Sequence, residues 1–93
     1  MATEFVHDAQ AGRYEVLVDG ERGGFAVARE EGDKVVFPHT EIDERFEGRG
    51  LARQLVTFAL DDVRARGKQV EPHCTYVKRF IDRNAEYQDL LAK

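Results

Sequence analysis

Alternating apolar and polar residues predict β-strands in the first half of the chain. Residues 14–18 mix β-branched and aromatic side chains, and the Asp19-Gly20 pair after them is a strong hairpin signal. Residues 23–29 can therefore return as the next strand of an antiparallel pair. Residues 5–7 are interpreted as a short additional strand.

A third strand is predicted over residues 34–42, after a polar turn at residues 30–33. Pro38 lies inside this strand and has no N–H group to donate to a sheet ladder. We therefore expect the strand either to lie at a sheet edge or to contain a bulge at this proline.

The apolar residues change to a helical period in the second half. Over residues 50–66 they recur every three or four positions, which predicts a helix whose broad apolar side lies on a sheet. Gly67 stands where a left-handed residue commonly ends a helix. A short strand is predicted over residues 69–75, and a second helix over residues 76–92 with a break near Asn84.

This order of elements predicts an α+β fold with a mixed, mostly antiparallel sheet of four to five strands and two main helices. A chain of 93 residues is sufficient for one domain, residues 1–93. We expect no signal peptide and no membrane span, because no apolar run approaches the required length. One cysteine makes no internal disulfide, and no Cys/His cluster has metal-site spacing. The expectation is a cytoplasmic, metal-free monomer or weak homo-oligomer.

Charge is unevenly distributed along the chain. Residues 1–44 carry 11 acidic and 4 basic side chains, whereas residues 45–93 carry 7 acidic and 10 basic ones. The net charge of −4, without a basic stripe interleaved with aromatic residues, argues against nucleic acid as a partner. The basic second half is typical either of a mixed solvated surface or of one that binds a small anion.

The segment from Arg45 to Ala52 lies between the third strand and the first helix. Gly48 and Gly50 allow a ligand to approach the backbone without a Cβ in the way. The free N–H groups and the dipole of the helix that follows favour an anion, usually a phosphate. The residues alone leave two interpretations open, an anion site and a glycine-rich turn.

The same segment is similar to the acetyl-CoA pyrophosphate loop of the GCN5-related N-acetyltransferases. More closely, the chain resembles the very small YjdJ-type branch of that family. The matching segments are Arg45-x-x-Gly48-x-Gly50, His39-Thr40-Glu41-Ile42, Val70-x-Pro72-x-Cys74-x-Tyr76-Val77 and Asn84-x-Glu86-Tyr87. They occur in the family's order and cover most of residues 14–91.

The resemblance implies a truncated acetyltransferase fold in which acetyl-CoA lies where the sheet splays. Backbone groups of the strand that ends at residues 40–42 would bind the pantetheine arm, and amides of residues 46–52 the pyrophosphate. Basic side chains of the last helix, among them Arg83, would bind the 3′-phosphate of CoA. The residues implied for acetyl-CoA binding are Thr40, Ile42, Arg45, Phe46, Glu47, Gly48, Arg49, Gly50, Leu51, Ala52, Lys78 and Arg79.

Three residues are candidates for catalysis. The resemblance places Cys74 near the thioester, where it would form an acetyl-cysteine intermediate. In the competing mechanism an amine attacks directly, and a carboxylate or histidine accepts its proton. His39 and Glu41 alternate along a strand and are expected to share a face. Tyr76 and Tyr87 are interpreted as packing residues, with a phenol near the leaving thiolate as the alternative.

The predicted function is acetyl transfer from acetyl-CoA to a primary amine of a small molecule or a protein lysine. The chain is too short for the N-terminal helices that shape the acceptor site in larger relatives, which implies a wide, exposed acceptor cleft. Two alternatives remain at this point. One is a non-catalytic module that binds CoA or acyl-CoA, and the other is an interaction protein whose glycine loop is structural.

Overall fold

A computed structural model describes residues 2–92, so Met1 and Lys93 at the ends of the predicted domain lie outside it. Four strands form an antiparallel sheet in the order β1-β2-β3-β6, and three form a second sheet in the order β4-β5-β7. In the second sheet β5 and β7 are parallel. The strands are β1 (Thr3–Asp8), β2 (Arg13–Val18), β3 (Glu21–Val27), β4 (Arg29–Glu31), β5 (Lys34–Phe37), β6 (Thr40–Ile42) and β7 (Gln69–Pro72).

Two helices cover one face of these sheets. The helices are α1 (Leu51–Ala65) and α2 (Thr75–Arg83), with short 3-10 helices at Glu44–Phe46 and Ala85–Leu90. One hydrophobic core joins both helices to the inward side chains of the strands, such as Val16, Ala26 and Val35. Within the described residues no helix is long and apolar enough to span a membrane. The predicted α+β order of strands, helix, strand and helix is confirmed.

The strand predicted over residues 34–42 is divided between the two sheets, as β5 and β6. Phe37 faces the core, and Thr40 pairs with the buried Ala26 and so faces the same side. Strict alternation would place residues 37 and 40 on opposite faces, so the strand contains one extra residue at Pro38-His39. The expected irregularity at Pro38 is confirmed, and it allows β5 and β6 to pair with strands of different sheets.

Other predicted boundaries were wrong where tertiary contacts decide them. The strand expected over residues 23–29 ends at Val27, and Arg29 begins β4 in the other sheet. The helix expected over residues 76–92 is α2 followed by a 3-10 helix, and Asn84 separates the two as predicted. The strand expected over residues 69–75 ends at Pro72 because the next residues lead into α2.

Remaining boundaries differ by a few residues. The strand at residues 5–7 is the six-residue β1, and the helix over residues 50–66 begins at Leu51. Gly50 precedes α1 in a left-handed conformation, and Gly67 follows its end with φ +71°, as expected for a helix terminus.

A charged cluster fastens the end of α1 to the strands. The Tyr14 hydroxyl donates to Asp62 Oδ2 at 2.6 Å and accepts from Arg66 Nη2 at 2.9 Å. Burial, with the Asp62 contact adding to it, raises the pKa of Tyr14 above its usual range. Arg66 and Lys68 each donate to Glu30 at 2.8 Å, and these contacts lower the pKa of Glu30 to about 2.

We expect Glu30→Gln to destabilise the protein in a pH-dependent manner. Because the folded pKa is depressed, the ionised carboxylate contributes stability above its unfolded pKa of 4.5, and the contribution is lost as the pH falls towards about 2. Urea unfolding should show a loss of about 1 kcal/mol at pH 7 that shrinks below pH 4.5. Glu31, which lies 3.9 Å from Arg29, provides the control, because Glu31→Gln should change little at either pH. A loss in Glu30→Gln that is independent of pH would contradict this account.

Candidate functional site

The division of one strand between two sheets opens a cleft beside β6. Within residues 2–92, β6 is the last strand of its sheet and pairs with β3 alone. Val27 N donates to His39 O and Asp43 N donates to Gly23 O, both at 2.8 Å. In an antiparallel ladder, the residues between such hydrogen-bonded positions direct their N–H and C=O groups away from the partner strand. The backbone groups of Thr40 and Ile42 therefore face the cleft.

Cys74 lies across this cleft, at the start of α2. The Phe37 carbonyl, the last of β5, accepts from the Cys74 amide at 2.7 Å and from the His73 amide at 3.0 Å. These bonds bring the half-buried Cys74 side chain to Thr40, and Sγ donates to Oγ1 at 3.5 Å. Cys74 therefore lies beside the strand that contains Thr40.

The segment that joins β6 to α1 contains two left-handed residues. Gly48 has φ +79° and Gly50 has φ +74°, a region that other residues adopt only with strain. As the residue that precedes α1, Gly50 provides no side chain to cap the helix. The N–H groups of the first turn of α1 are therefore available to an anion.

Two cavities with shared lining residues lie along this segment. A cavity of about 170 Å³ is bounded by the glycine loop and Ile42, and a cavity of about 380 Å³ lies between α1 and α2. Arg53 and Tyr76 line both of them, and the two cavities together are called the groove below. The first is lined by Ile42, Phe46, Glu47, Gly48, Gly50, Leu51 and Ala52, and the second by Arg79, Phe80, Arg83 and Asn84, in addition to the shared pair.

Most residues predicted for cofactor binding are thus brought together, but Arg45, Arg49 and Lys78 do not line the groove. Arg45 donates to Glu21 at 2.9 Å and to Asp43 at 3.2 Å, contacts that hold the loop against β3 and raise the pKa of Arg45. The Arg49 guanidinium lies 5.5 Å from the centre of the Phe46 ring. Lys78 is exposed on α2, whereas Arg79 lies in the groove.

Sequence reasoning missed Arg53 and gave Tyr76 only a minor role. Tyr76 is 40% exposed, and it lies in the groove rather than in the core. Tyr87 does pack in the core, where its hydroxyl donates to Asp61 at 2.8 Å. Arg53 could have been identified from its position in the first turn of α1. It lies three residues after Gly50, where a side chain can reach the loop.

His39 and Glu41 project from the face of the sheet that the helices leave uncovered. Glu41 pairs with Phe25, whereas Thr40 pairs with the buried Ala26 on the opposite face. His39 Nε2 lies 3.2 Å from Glu41 Oε2, and the side chains are 58% and 60% exposed. The expectation that they share a face is confirmed, and the contact makes them a candidate proton-accepting pair.

A second pair of the same composition was not foreseen. His73 Nε2 lies 2.8 Å from Glu71 Oε2, and Glu71 also accepts from Lys34 at 2.8 Å. These contacts, first that of Lys34, lower the pKa of Glu71. Among residues 2–92 no three histidine, cysteine or acidic side chains are grouped so that they could hold a metal ion.

The chain belongs to the family of GCN5-related N-acetyltransferases. The model of that family matches residues 13–90, which include both sheets' central strands, the cleft and the groove. The resemblance inferred from the glycine loop is therefore confirmed at the level of the family.

The chain is also similar to a curated protein in sequence and to solved structures in fold. The chain is 29% identical to protein NATD1 of Mus musculus over 80 residues, which is 84% of this chain and 73% of that protein. Its fold is similar to a GCN5-like N-acetyltransferase from Staphylococcus aureus, named as putative, with TM-score 0.73, 14% identity and coverage of 96% and 87% of the two chains. It is also similar to N-acetylglutamate synthase from Neisseria gonorrhoeae complexed with coenzyme A and N-acetyl-glutamate. The TM-score is 0.62, the identity 14%, and the coverage 84% of this chain and 22% of that one.

Proposed function

We propose that this protein transfers an acetyl group from acetyl-CoA to a primary amine. The observation that carries the proposal is the cavity that Ile42 of β6 and the glycine loop bound together, beside the edge of β6 that is unpaired within residues 2–92. Thr40 and Ile42 offer backbone donors and acceptors to the amide groups of a pantetheine arm. Gly48, Gly50 and the first turn of α1 offer N–H groups to a pyrophosphate.

The charges of the groove suit the remaining part of CoA. Arg53, Arg79 and Arg83 line the wider cavity, where they would bind the 3′-phosphate. Tyr76 lines both cavities, so it would contact CoA between the pyrophosphate and the 3′-phosphate. Because most ligand contacts are made by backbone groups, the binding of CoA depends chiefly on the conformation of the loop.

In this proposal the amine attacks the acetyl carbonyl directly, on the uncovered face of the sheet. The new bond joins nitrogen to the carbonyl carbon, the bond between carbon and sulfur breaks, and His39 accepts the proton that nitrogen loses. Glu41 holds the imidazole through their 3.2 Å contact. Backbone N–H groups at the edge of β6 would stabilise the charge that develops on the carbonyl oxygen.

The contacts of Cys74 favour direct attack over an acetyl-cysteine route. Its thiol donates to the neutral hydroxyl of Thr40, and the neighbouring His73 ring contacts Glu71 instead. Neither contact removes a proton from the thiol, which a nucleophilic cysteine requires. The packing of Cys74 against Thr40 instead fits a residue that shapes the cleft.

We therefore expect Cys74→Ser to retain most of the transferase activity, because serine preserves the volume and the contact with Thr40. Intact mass spectrometry of the wild type after incubation with acetyl-CoA alone should show no acetyl group that hydroxylamine removes. A labile acetyl group on the wild type, together with an inactive Cys74→Ser variant, would establish the covalent route instead.

The proposed function is tested by mass spectrometry of small amines incubated with the protein and acetyl-CoA. We expect acetylated amine and free CoA in equal amounts, at a rate above the uncatalysed reaction. Saturable CoA binding without any transfer would identify a CoA-binding module. We also propose that the chain belongs to the YjdJ-type branch, on the Pro72-x-Cys74-x-Tyr76 motif.

A further inference from the structure

A second surface beside β6 has no role in the binding of CoA as proposed above. On the uncovered face of the sheet, a cavity of about 200 Å³ is lined by Arg22, Gly24, Phe25, Glu41 and Asp43. Glu41 contacts His39 at 3.2 Å, so the cavity adjoins the pair to which we assign the transfer of the proton. Both helices and the glycine loop occupy the other face, and an acceptor therefore reaches the cleft from this side.

The cavity has an aromatic floor and opposite charges on its walls. The Arg22 guanidinium lies 5.4 Å from the centre of the Phe25 ring. Glu41 pairs with Phe25 across the two strands, so its carboxylate rises from the same face. Asp43 already accepts from the side chain and the amide of Arg45, which leaves Glu41 as the carboxylate more open to a ligand.

Arg22 carries a positive charge that its neighbours only partly offset. Its nearest acidic atom is Glu15 Oε2, 3.5 Å away, and the same oxygen also accepts from Arg13. Two guanidinium groups therefore share one carboxylate. The Arg22 side chain is 47% exposed, which allows it to bind an anionic group of a ligand without leaving the Phe25 ring.

This arrangement matches a small molecule that carries both an amine and a carboxylate. We infer that the acceptor is a free α-amino acid, with its amine at Glu41 and His39 and its carboxylate at Arg22. An apolar side chain would lie on the Phe25 ring. The inference rests on the proposed transferase function and specifies its substrate class. A diamine fits less well, because Arg22 and Arg13 would repel its second positive charge.

The chain offers a matched control for Arg22. Arg13 also stacks on Phe25, at 5.7 Å, and also binds Glu15, but it is not among the residues that line the cavity. The test compares L-leucine with L-leucinamide, which lacks the carboxylate, and with 1,4-diaminobutane. The measured quantity is the ratio of kcat/KM for leucine to kcat/KM for leucinamide, since differences in intrinsic reactivity cancel when variants are compared.

We expect Arg22→Gln to lower this ratio about tenfold, because one charge-assisted contact at a half-exposed site is lost. Arg13→Gln should lower it by a smaller factor, because Glu15 then offsets more of the Arg22 charge. An unchanged ratio in Arg22→Gln, an equal loss in Arg13→Gln, or a preference of the wild type for the diamine would overturn the inference. Transfer to none of the three amines, with CoA binding intact, would overturn the proposed function itself. Transfer to leucinamide but not to leucine would overturn only the inferred acceptor.

Discussion

Gly48→Val is expected to abolish the stabilisation that CoA confers on the protein. A ligand at roughly 100 times its dissociation constant adds about 2.7 kcal/mol to the free energy of unfolding, on the order of 10 °C in Tm for a domain of this size. Gly48 has φ +79°, where a β-branched residue is strained by about 1–2 kcal/mol. A Cβ at Gly48 would meet no heavy atom within 4 Å, so the substitution acts through the backbone and turns the loop amides away from the pyrophosphate.

Gly32 provides the matched control for this substitution. It has φ +63° in the turn between β4 and β5, and a Cβ there would also meet nothing within 4 Å. Gly32→Val should lower the stability of the free protein by a similar amount and retain the full shift with CoA. The measurement is thermal unfolding of both variants with and without CoA. A full CoA shift in Gly48→Val would show that the loop amides do not bind the ligand.

The order of elements could be predicted because periodicity is a local property of the sequence. The α1 helix follows from apolar residues spaced three and four apart, and β2 from its β-branched residues and the turn after it. Gly67 could be placed at the end of α1 because the left-handed conformation selects glycine. The spacing of Gly48 and Gly50 indicated a special loop, but it did not distinguish an anion site from a glycine-rich turn.

The division of residues 34–42 could not be predicted from local pattern. Pro38 indicates an irregularity, but it does not reveal which strands pair. β5 pairs with β7 and β6 pairs with β3, and these partners lie some 15 to 35 positions away along the chain. The cleft arises from these two pairings. Its position therefore came from the family resemblance and not from periodicity.

The groove shows the same limit for individual side chains. Arg45 was expected to contact the cofactor, but it pairs with Glu21, a partner on another strand that no spacing rule reveals. Arg53 and Tyr76 come from different helices and meet only because α1 and α2 pack together. Conversely, the shared face of His39 and Glu41 was foreseen, because alternation along a strand places residues i and i+2 on one face.

The largest effect on chemistry is expected from His39→Gln. Loss of a positioned general base lowers the rate by a factor of at least about 100, and kcat should fall while the affinity for CoA is retained. Glutamine keeps much of the side chain's volume and its contact with Glu41, so the fold and the cavity should be preserved. Glu41→Gln should lower kcat by a smaller factor. It removes only the carboxylate that orients the imidazole and stabilises the positive charge that the ring acquires with the proton.

The second histidine–glutamate pair supplies the control for this prediction. His73 is 60% exposed, close to the 58% of His39, and it contacts Glu71 as His39 contacts Glu41. However, Glu71 is already held by Lys34, and Lys34 stabilises its negative charge independently of the histidine. His73→Gln should therefore leave kcat near the wild-type value. A kcat that falls in His73→Gln and is retained in His39→Gln would assign the proton to the other pair.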